Sequence, residues 1–555
     1  MAHFESARAP RWVSCSSLFA VFCAVLQAQE SRPSSGPMRL RELRFLREDV
    51  FTRKEADDNG FFWLANALHA VTHESVLRRE VWLTKGTPLD AATVDEVERN
   101  LRATPWLGAA SAELLAVGDG EADLFVRTRD RLTLGGSASV SRVGGTMKLR
   151  AAVSEANLFG TGKRLAVNAS SSGDDDEVLV QWIDPQFLDS WYRLSVEAGA
   201  TDDGPFGRFS LVRPYKHRED PWTYGIEARY DDRALTYYSR GESFAELPEQ
   251  GQRIRGFAER AFGPRELRTG VGADVRWRRS DYADLRGDGA QLFRQPIDSN
   301  ELLFGPVGRV DWAPRYDKRQ AIDALDFVED LKLGIEAELR IAAALRDQSG
   351  DHQAALVFAP HLSAAAAPLG DTYVTLEATV DSRWRAGDAQ GWRWSTAVHA
   401  FQKSLPRQTL AASFTYQAVY EGRDAPVQLT LGEDNGLRGY PARELSGSRV
   451  ARLNLEDRIA TGLEVWSVRV GAVGFCDVGW VHGAREGLSM GDAAVSAGVG
   501  LRFGSSHLLG RKVVRLDVAW PLLSVDGERS GMSVSFAVGQ VFSFFGNAEE
   551  LVRLP

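Results

Sequence analysis

The sequence has few cysteines, no excess of basic residues and no apolar run of the roughly 20 residues that a transmembrane helix needs. Only three of its 555 residues are cysteine. Cys15 and Cys23 lie in the N-terminal stretch that we assign below to a signal peptide, so Cys476 is alone in the mature chain. An intrachain disulfide is therefore excluded and a thiol-based metal site is disfavoured. The net charge is −9, with 66 Lys and Arg against 75 Asp and Glu, and nucleic-acid binding is not expected because no basic block stands out.

Side chains that could form a catalytic or cofactor site are also sparse. The nine histidines are scattered along the chain, and no phosphate-binding loop of the Gly-x-x-x-x-Gly-Lys-Ser/Thr type occurs. The acidic run Asp174–Glu177 could bind a divalent cation, but a solvated turn between two strands is the favoured interpretation. We therefore expect no enzyme activity, no metal and no cofactor.

The first 28 residues have the three parts of a secretory signal peptide. Arg8 and Arg11 form a basic start, residues 18–26 are apolar, and Ala28 is a small residue at the cleavage position. A membrane anchor is the alternative, but this apolar run is too short to cross a bilayer. Residues 1–28 are assigned to the signal peptide, and residues 29–37, rich in Ser, Pro and Gly, to a linker.

Residues 38–130 have the pattern of one small α+β domain. Apolar residues recur at spacings of three and four in the helical segments and the last two strands flank a Gly-Asp-Gly turn. Five elements are predicted in the order β-α-α-β-β: 39–46, 73–85, 91–103, 111–117 and 121–128.

From residue 131 to 545 apolar and polar residues alternate in long segments, as at 267–278 and 331–341. Soluble β-sandwiches and propellers alternate too, but their strands usually have about 5–6 residues. The segments here have about ten, which is the length that a tilted strand needs to cross a bilayer. The pattern predicts a mainly β protein whose larger part is a transmembrane antiparallel β-barrel. About 20 candidate strands can be counted, some of which could be hairpin extensions in loops.

The last five predicted strands carry charged residues on one face. A charge that faces lipid near the bilayer centre costs about 2–4 kcal/mol. The polar faces of these strands are therefore expected to face the interior, with Asn454, Arg458, Arg502 and Asp517 as well as the carboxylates Glu456 and Asp477. A long loop, 421–447, precedes these strands and contains Arg438, which these carboxylates could anchor. The alternative is that Arg438 is a solvated loop charge. The five strands are placed at 448–459, 464–477, 495–503, 512–520 and 532–545.

Leu437-Arg438-Gly439-Tyr440 resembles the conserved-loop motif of the BamA/TamA-type outer-membrane assembly superfamily, also called the bacterial surface antigen family. Phe475–Gly479 resembles that family's Phe-x-Asp-x-Gly segment, and the small domain resembles a POTRA domain. The resemblance covers nearly the whole mature chain in the right order. The other matching segments are 77–80, 86 and 98–102 in the small domain and 157–162, 184–185 and 517–522 in the barrel.

The resemblance implies a barrel of 16 strands in the bacterial outer membrane, with the POTRA domain in the periplasm. It implies that the Arg438 loop lies in the lumen, held by Asp477. It also implies that the POTRA domain binds client chains by adding a strand at a sheet edge, 39–46 or 111–117. The implied partners are outer-membrane lipids, unfolded client polypeptides and other envelope assembly factors. The implied site residues are Leu437, Arg438, Gly439, Tyr440, Glu456, Asp477 and Gly479.

The expected function is to assist the insertion of outer-membrane proteins or the translocation of a polypeptide. Clients would dock at the POTRA edge and at a weak seam between the first and last strands, 132–142 and 532–545. A dedicated two-partner-type secretion transporter and a passive porin or structural barrel are the alternatives. The chain departs from the family in having one POTRA-like domain, an unusual segment at 50–72 and a tail, 546–555, after the last strand.

Overall fold

The computed structural model describes residues 38–544, apart from 119, 144–145, 173–175, 326, 422–426, 484–491, 509–511 and 526–530. The signal peptide and linker predicted for residues 1–37 and the tail predicted for 546–555 lie outside the described residues. Within those residues, no helix is long and apolar enough to cross a membrane.

The small domain is a four-stranded sheet with four short helices. Its strand order is β2-β1-β4-β3, with β1 parallel to β4 and β3 antiparallel to it. One edge of the sheet is β3. At the other edge the two-residue β2 pairs only with Met38 and Arg39 of β1, so most of the predicted edge 39–46 has no described strand on that side. The elements are β1 (Met38–Glu48), α1 (Arg53–Asp58), α2 (Gly60–Leu68), α3 (Glu74–Glu80), β2 (Pro88–Leu89), α4 (Ala91–Ala103), β3 (Leu107–Gly118) and β4 (Glu121–Asp130).

Helix α4 has the bounds that its periodicity predicts. Asp90 caps it by accepting a hydrogen bond from the Thr93 N–H at 2.7 Å, and its buried Val97 and Leu101 pack in one cluster with the sheet. The segment 50–72, for which no element was predicted, holds α1 and α2. Helices of six and nine residues are too short to show a clear apolar period. Helix α3 ends before the predicted Lys85, because Trp82 has a φ of +49°.

In the described part of the chain, twenty strands form a closed barrel. This confirms the predicted mainly β fold with a small α+β domain before it. The count of 16 implied by the resemblance is wrong, since the motifs that carry it do not count the strands between them. Strands β20 and β21 are not part of the barrel sheet. They pair with each other in the loop that joins β19 to β22. The strands are β5 (Leu134–Val143), β6 (Thr146–Glu155), β7 (Arg164–Ser172), β8 (Asp176–Phe187), β9 (Tyr192–Thr201), β10 (Pro205–Arg213), β11 (Trp222–Ser239), β12 (Glu242–Phe262), β13 (Leu267–Tyr282), β14 (Ser299–Arg319), β15 (Glu329–Gln348), β16 (Asp351–Leu369), β17 (Thr372–Arg385), β18 (Asp388–Leu405), β19 (Gln408–Glu421), β20 (Leu429–Leu431), β21 (Leu445–Gly447), β22 (Arg449–Val465), β23 (Val468–His482), β24 (Ala494–Gly504), β25 (Val513–Pro521) and β26 (Ser533–Val538).

Alternation along β13 sorts residues to the two faces of the barrel wall as predicted. Val271 is 63% exposed on the outside, whereas Arg268 and Asp274 are buried inside. Strand β15 departs from this pattern at its start, where Leu331 and Leu333 are buried. A register shift in β14 between Trp312 and Arg315 lies opposite this part of β15. Such a bulge changes which residues face inward, and the sequence alternation does not reveal it.

The final strand is shorter than predicted. Strand β26 ends at Val538, and the chain then turns at Gly539, whose φ is +99°. Residues 540–544 fold into the barrel interior instead of continuing the strand to 545, and Phe542 packs beside Leu331 and Leu333. The bounds 532–545 are therefore corrected to 533–538.

The small domain packs against the turns at one end of the barrel, which we call the domain end. Arg102 of α4 donates to both carboxylate oxygens of Asp330 at 2.8 Å, and the Lys318 ammonium lies 2.6 Å from Glu98. Burial alone would raise the pKa of Glu98, but hydrogen bonds from Lys318, the Ala112 N–H and Arg102 hold that pKa below its usual value. The interface is therefore an ion-pair network that favours the charged carboxylates.

Aromatic contacts fix the small domain at two further turns of the domain end. Trp82, just after α3, stacks on His217 of the β10–β11 turn with ring centroids 5.1 Å apart. Phe51, before α1, stacks on His507 of the β24–β25 connection at 5.0 Å. These two turns follow strands far apart in the barrel order, so the domain contacts the barrel end at widely separated points.

Candidate functional site

The loop between β19 and β22 starts at the end of the barrel opposite the small domain and folds into the lumen. Its base is closed by pairing of β20 with β21. Leu437 and Tyr440 at its tip are fully buried and pack with Leu431, Val450 and Ala494. An apolar cluster on the inside of the barrel wall therefore holds the tip of the loop.

The guanidinium of Arg438 lies at the centre of the site and is 1% exposed. Its Nε and Nη2 donate to the two carboxylate oxygens of Asp477 at 2.7 and 2.8 Å. Its Nη1 donates to Glu456 at 2.8 Å, and the guanidinium carbon is 3.5 Å from the centre of the Phe475 ring. Burial favours the neutral form, but the hydrogen bonds and charges of Asp477 and Glu456 outweigh it and raise the pKa of Arg438. The side chain is thus a fixed cation.

Further inward-facing polar groups complete the hydrogen bonding of these carboxylates. Asn454 Nδ2 donates both to Asp477 and to the Gly436 carbonyl at 2.7 Å, which ties the wall to the loop backbone. Glu456 accepts from Arg458 Nε at 2.8 Å. The carboxylates therefore stay paired on more than one side, as buried charges must.

Gly439 and Tyr440 set the path of the loop past the wall. Gly439 has a φ of +89°, and a Cβ there would lie 3.2 Å from Ser496 Cβ. The Tyr440 hydroxyl accepts from the Val495 N–H at 3.0 Å and lies 2.8 Å from the Leu523 carbonyl. Glycine at 439 is required by the backbone conformation, and Tyr440 supplies polar contacts to the backbone at β24 and after β25.

Gly479 gives room for the loop on β23. A Cβ at this position would lie 2.5 Å from Leu431 Cδ2 and 3.1 Å from Leu437 Cδ2. We expect Gly479→Ala to lower the free energy of unfolding by about 1–3 kcal/mol, because overpacking displaces well-packed side chains. The measurement is urea unfolding in lipid vesicles.

Gly474 provides a matched control on the same strand, since a Cβ there would meet nothing within 4 Å. Gly474→Ala should leave the free energy of unfolding unchanged. Equal losses for both variants would contradict the packing of the loop against Gly479.

The structure brings the seven sequence-predicted residues, 437–440, 456, 477 and 479, into one site. Asn454, Arg458, Arg502 and Asp517 also belong to it and were predicted only to face inward. Asp517 accepts from Arg502 at 2.5 Å and lies 3.6 Å from Arg438 Nη1. The alternation along each strand predicts that these residues face inward. It does not predict which of them contact one another across the four strands.

Two motif-like spacings lie in the described part of the chain, in which no group of His, Cys, Asp and Glu could hold a metal ion. His69 and His73 are four residues apart, but His69 Nε2 forms a hydrogen bond with the Asp130 carboxylate at 2.9 Å. His217 and Glu219 have a His-x-Glu spacing in a turn. The Gly-x-Ser-x-Gly sequence at 487–491 lies outside the described residues.

Comparison with known proteins gives structural matches only. No protein-family model matches the chain, and no curated protein matches it. BamA from Haemophilus ducreyi lacking POTRA domains 1–3 matches at 14% identity over 90% of this chain and 84% of that chain, with a TM-score of 0.40. CdiB from Escherichia coli matches at 14% identity over 90% and 76%, with a TM-score of 0.46. CdiB from Acinetobacter baumannii matches at 11% identity over 94% and 96%, with a TM-score of 0.40.

Similarity at this level does not show what the chain does.

Proposed function

We propose that the chain is a BamA/TamA-type protein whose barrel spans the bacterial outer membrane, with the small domain in the periplasm as a POTRA domain. In this proposal it assists the insertion of outer-membrane proteins or the translocation of polypeptides, and it needs no catalytic residue, metal or cofactor. The collinear motifs support the family, and the geometry of the barrel wall and of the small domain supports the role.

The outer face of the barrel supports the membrane location. Exposed apolar side chains occur on strands all around the barrel, whereas the charges of the last strands are buried inside. Monomeric soluble proteins rarely expose apolar patches larger than a few hundred Å². Exposed examples on ten strands are Val178, Ile226, Ile254, Val271, Phe304, Leu339, Leu356, Phe414, Leu455 and Val499.

The open edge of β3 is the observation that carries the proposed action on polypeptides. At the start of the strand this edge is occupied, because the Ala112 N–H donates to Glu98 and the Ala110 carbonyl accepts from Arg102. Alternation places the backbone groups of Leu114 and Ala116 on the same outward edge. An extended client chain could pair there by strand addition.

The seam between β5 and β26 is a second contact point for a client. The barrel closes between these strands, and β26, with six residues, is the shortest of the described barrel strands. A strand of six residues forms few ladder hydrogen bonds with its ten-residue neighbour, so less free energy is needed to separate them.

Ala116→Pro tests the role of the β3 edge. Proline removes an N–H that faces away from β4, so the sheet itself should tolerate it. We expect the variant to slow, several-fold, the folding of a denatured outer-membrane protein into vesicles that contain this protein. Ala116→Val, which keeps the N–H, should fold the client as fast as the wild type.

The same vesicles separate the proposed function from its alternatives. Client folding no faster than in empty vesicles, together with solute leak, would overturn the assembly proposal and indicate a passive barrel. Faster transport of one secreted partner, without effect on inserted clients, would indicate a dedicated secretion transporter.

A further inference from the structure

Two segments at the domain end close part of the lumen, and we call them the lumen floor. One is the β14–β15 turn, residues 320–325, which folds inward. The other is the C-terminal segment, residues 540–544, which follows the bend at Gly539. Gly539 ends the strand by donating its N–H to the Val513 carbonyl at 2.7 Å.

Two phenylalanines anchor the C-terminal segment in an apolar groove. Phe542 is 0% exposed and Phe544 is also buried. His399 stacks on Phe542 with ring centroids 5.7 Å apart, and the Phe401 ring lies 6.0 and 6.1 Å from the rings of Phe542 and Phe544. The buried residues that line the groove are Ile322, Leu331, Leu333, Tyr373, Phe401 and Ala411.

The groove lies on strands that are remote from the end of the barrel sheet. It is formed by β15, β17, β18 and β19, and strands β22 to β25 separate these from β26 in the barrel order. The segment therefore crosses part of the lumen to reach its groove.

Polar contacts join the two segments of the floor through Asp323. The Asp323 carboxylate accepts from Ser543 Oγ at 2.6 Å and from the Phe544 N–H at 2.8 Å. Gln540 Nε2 donates to the Asp323 carbonyl at 2.8 Å. Glu329 holds the turn from the other side by accepting from the N–H of Ile322 at 2.9 Å and of Asp323 at 3.0 Å. The groove is thus shaped by contacts within the barrel, and the C-terminal segment adds hydrogen bonds to it.

Arg458 connects the floor to the Arg438 site. Its Nη2 donates to the Phe542 carbonyl at 3.0 Å, its Nη1 lies 3.3 Å from Asp323, and its Nε donates to Glu456. Glu456 in turn accepts from Arg438. One chain of charged side chains therefore runs from the inserted loop to the C-terminal segment.

A barrel of this size needs a filling if it is to exclude solutes. Barrels of 16–18 strands leave an aqueous channel, and those of 22 strands hold a plug. The Arg438 loop fills the lumen from the far end, and the floor fills it from the domain end. A cavity of about 820 Å³, lined by Lys318, Lys403 and Arg407 among others, lies beside the floor.

We propose that residues 540–544 are a plug that binds in cis to this groove and closes the barrel to solutes. The groove takes a segment with aromatic side chains at alternate positions, as in Phe542-Ser543-Phe544. The proposal relies on the proposed function only for the location of the barrel in a membrane.

The test is solute leak from vesicles that contain the full chain. Phe542→Ala/Phe544→Ala should raise the leak rate several-fold over the wild type. Phe536→Ala is the matched control, because Phe536 is 52% exposed on the outer face of β26, and its leak should equal that of the wild type. A double variant that leaks no faster than the wild type would overturn the proposal.

A second pair of variants keeps the aromatic side chains. Ser543→Asp puts a carboxylate against Asp323, where the serine oxygen now lies at 2.6 Å, and repulsion between like charges should release the plug and raise the leak. Ser543→Asn introduces a side chain of nearly the same size as aspartate but without the charge, and its leak rate should stay close to that of the wild type. Equal leak for both would contradict the role of Asp323.

Adding a peptide in trans tests the groove itself. A synthetic peptide with the sequence Gln-Val-Phe-Ser-Phe should lower the leak of the double variant towards that of the wild type, whereas Gln-Val-Ala-Ser-Ala should not. If neither peptide changed the leak, the proposal that this groove binds the C-terminal segment would be overturned. Failure of the wild-type barrel to insert, seen as loss of its heat-shifted mobility in gels, would instead overturn the membrane location.

Discussion

Replacing Arg438 by alanine is expected to lower the free energy of unfolding by about 3–5 kcal/mol, because it removes one side of a buried ion pair. Asp477 would lose both guanidinium hydrogen bonds while remaining fully buried. Arg438→Lys should recover only part of the loss, since an ammonium cannot bond both oxygens of Asp477 in a fork and still reach Glu456. Urea unfolding in vesicles measures the change, and protease cleavage within 427–448 reports release of the loop.

Arg443 provides the control within the same loop. It is more than a third exposed and lies 3.7 Å from Asp434, and exposed pairs of this kind contribute about 0–1 kcal/mol. Arg443→Ala should therefore leave the loop protected and the barrel nearly as stable as the wild type. If both variants behaved alike, the special role of Arg438 would be refuted.

Replacing Arg102 by alanine is expected to weaken the docking of the small domain on the barrel. Arg102 is buried between the two parts and donates to Asp330, Glu98 and the Ala110 carbonyl. Its loss leaves the buried Asp330 carboxylate without its guanidinium partner, a change that typically costs about 3–5 kcal/mol. The barrel should keep its stability while proteases cleave between the domain and the barrel, near residues 131–133, faster than in the wild type.

Arg78 on α3 is the matched control for Arg102. Its guanidinium pairs with Glu74 one turn away and is half exposed, so Arg78→Ala should cost only about 0.3–0.5 kcal/mol and leave the domain docked. If proteases cleaved near residues 131–133 equally slowly in Arg102→Ala and Arg78→Ala, the docking role of Arg102 would be contradicted.

The alternation of apolar and polar residues in strands and their period in helices predict the elements whose buried face in the structure is the face that the sequence pattern indicates. Helix α4 and the inward face of β22 follow directly, since an amphipathic segment buries its apolar or paired side. The anchoring of Arg438 could be anticipated because an inserted guanidinium needs carboxylates on an inward face. Asp477 and Glu456 are at such positions.

Other features depend on contacts between residues that are distant in the sequence. The bulge opposite Leu333 changes which residues of β15 face inward, and the alternation of the sequence does not predict this bulge. Phe542-Ser543-Phe544 alternates like a strand, yet Gly539 and the groove across the lumen bring these residues inside. The docking of Arg102 on Asp330 joins positions 228 residues apart. None of these contacts has a local signal.

Site-specific photo-crosslinking in intact cells tests most directly the central claim that the β3 edge receives client polypeptides. A photoreactive residue at position 117 replaces a valine that is 47% exposed at the end of this edge. One at position 68, an exposed leucine at the end of α2, serves as the control away from the sheet. We expect crosslinks from position 117 to newly exported polypeptides, and few or none from position 68. Equal crosslinking from both positions, or none from position 117, would contradict the account.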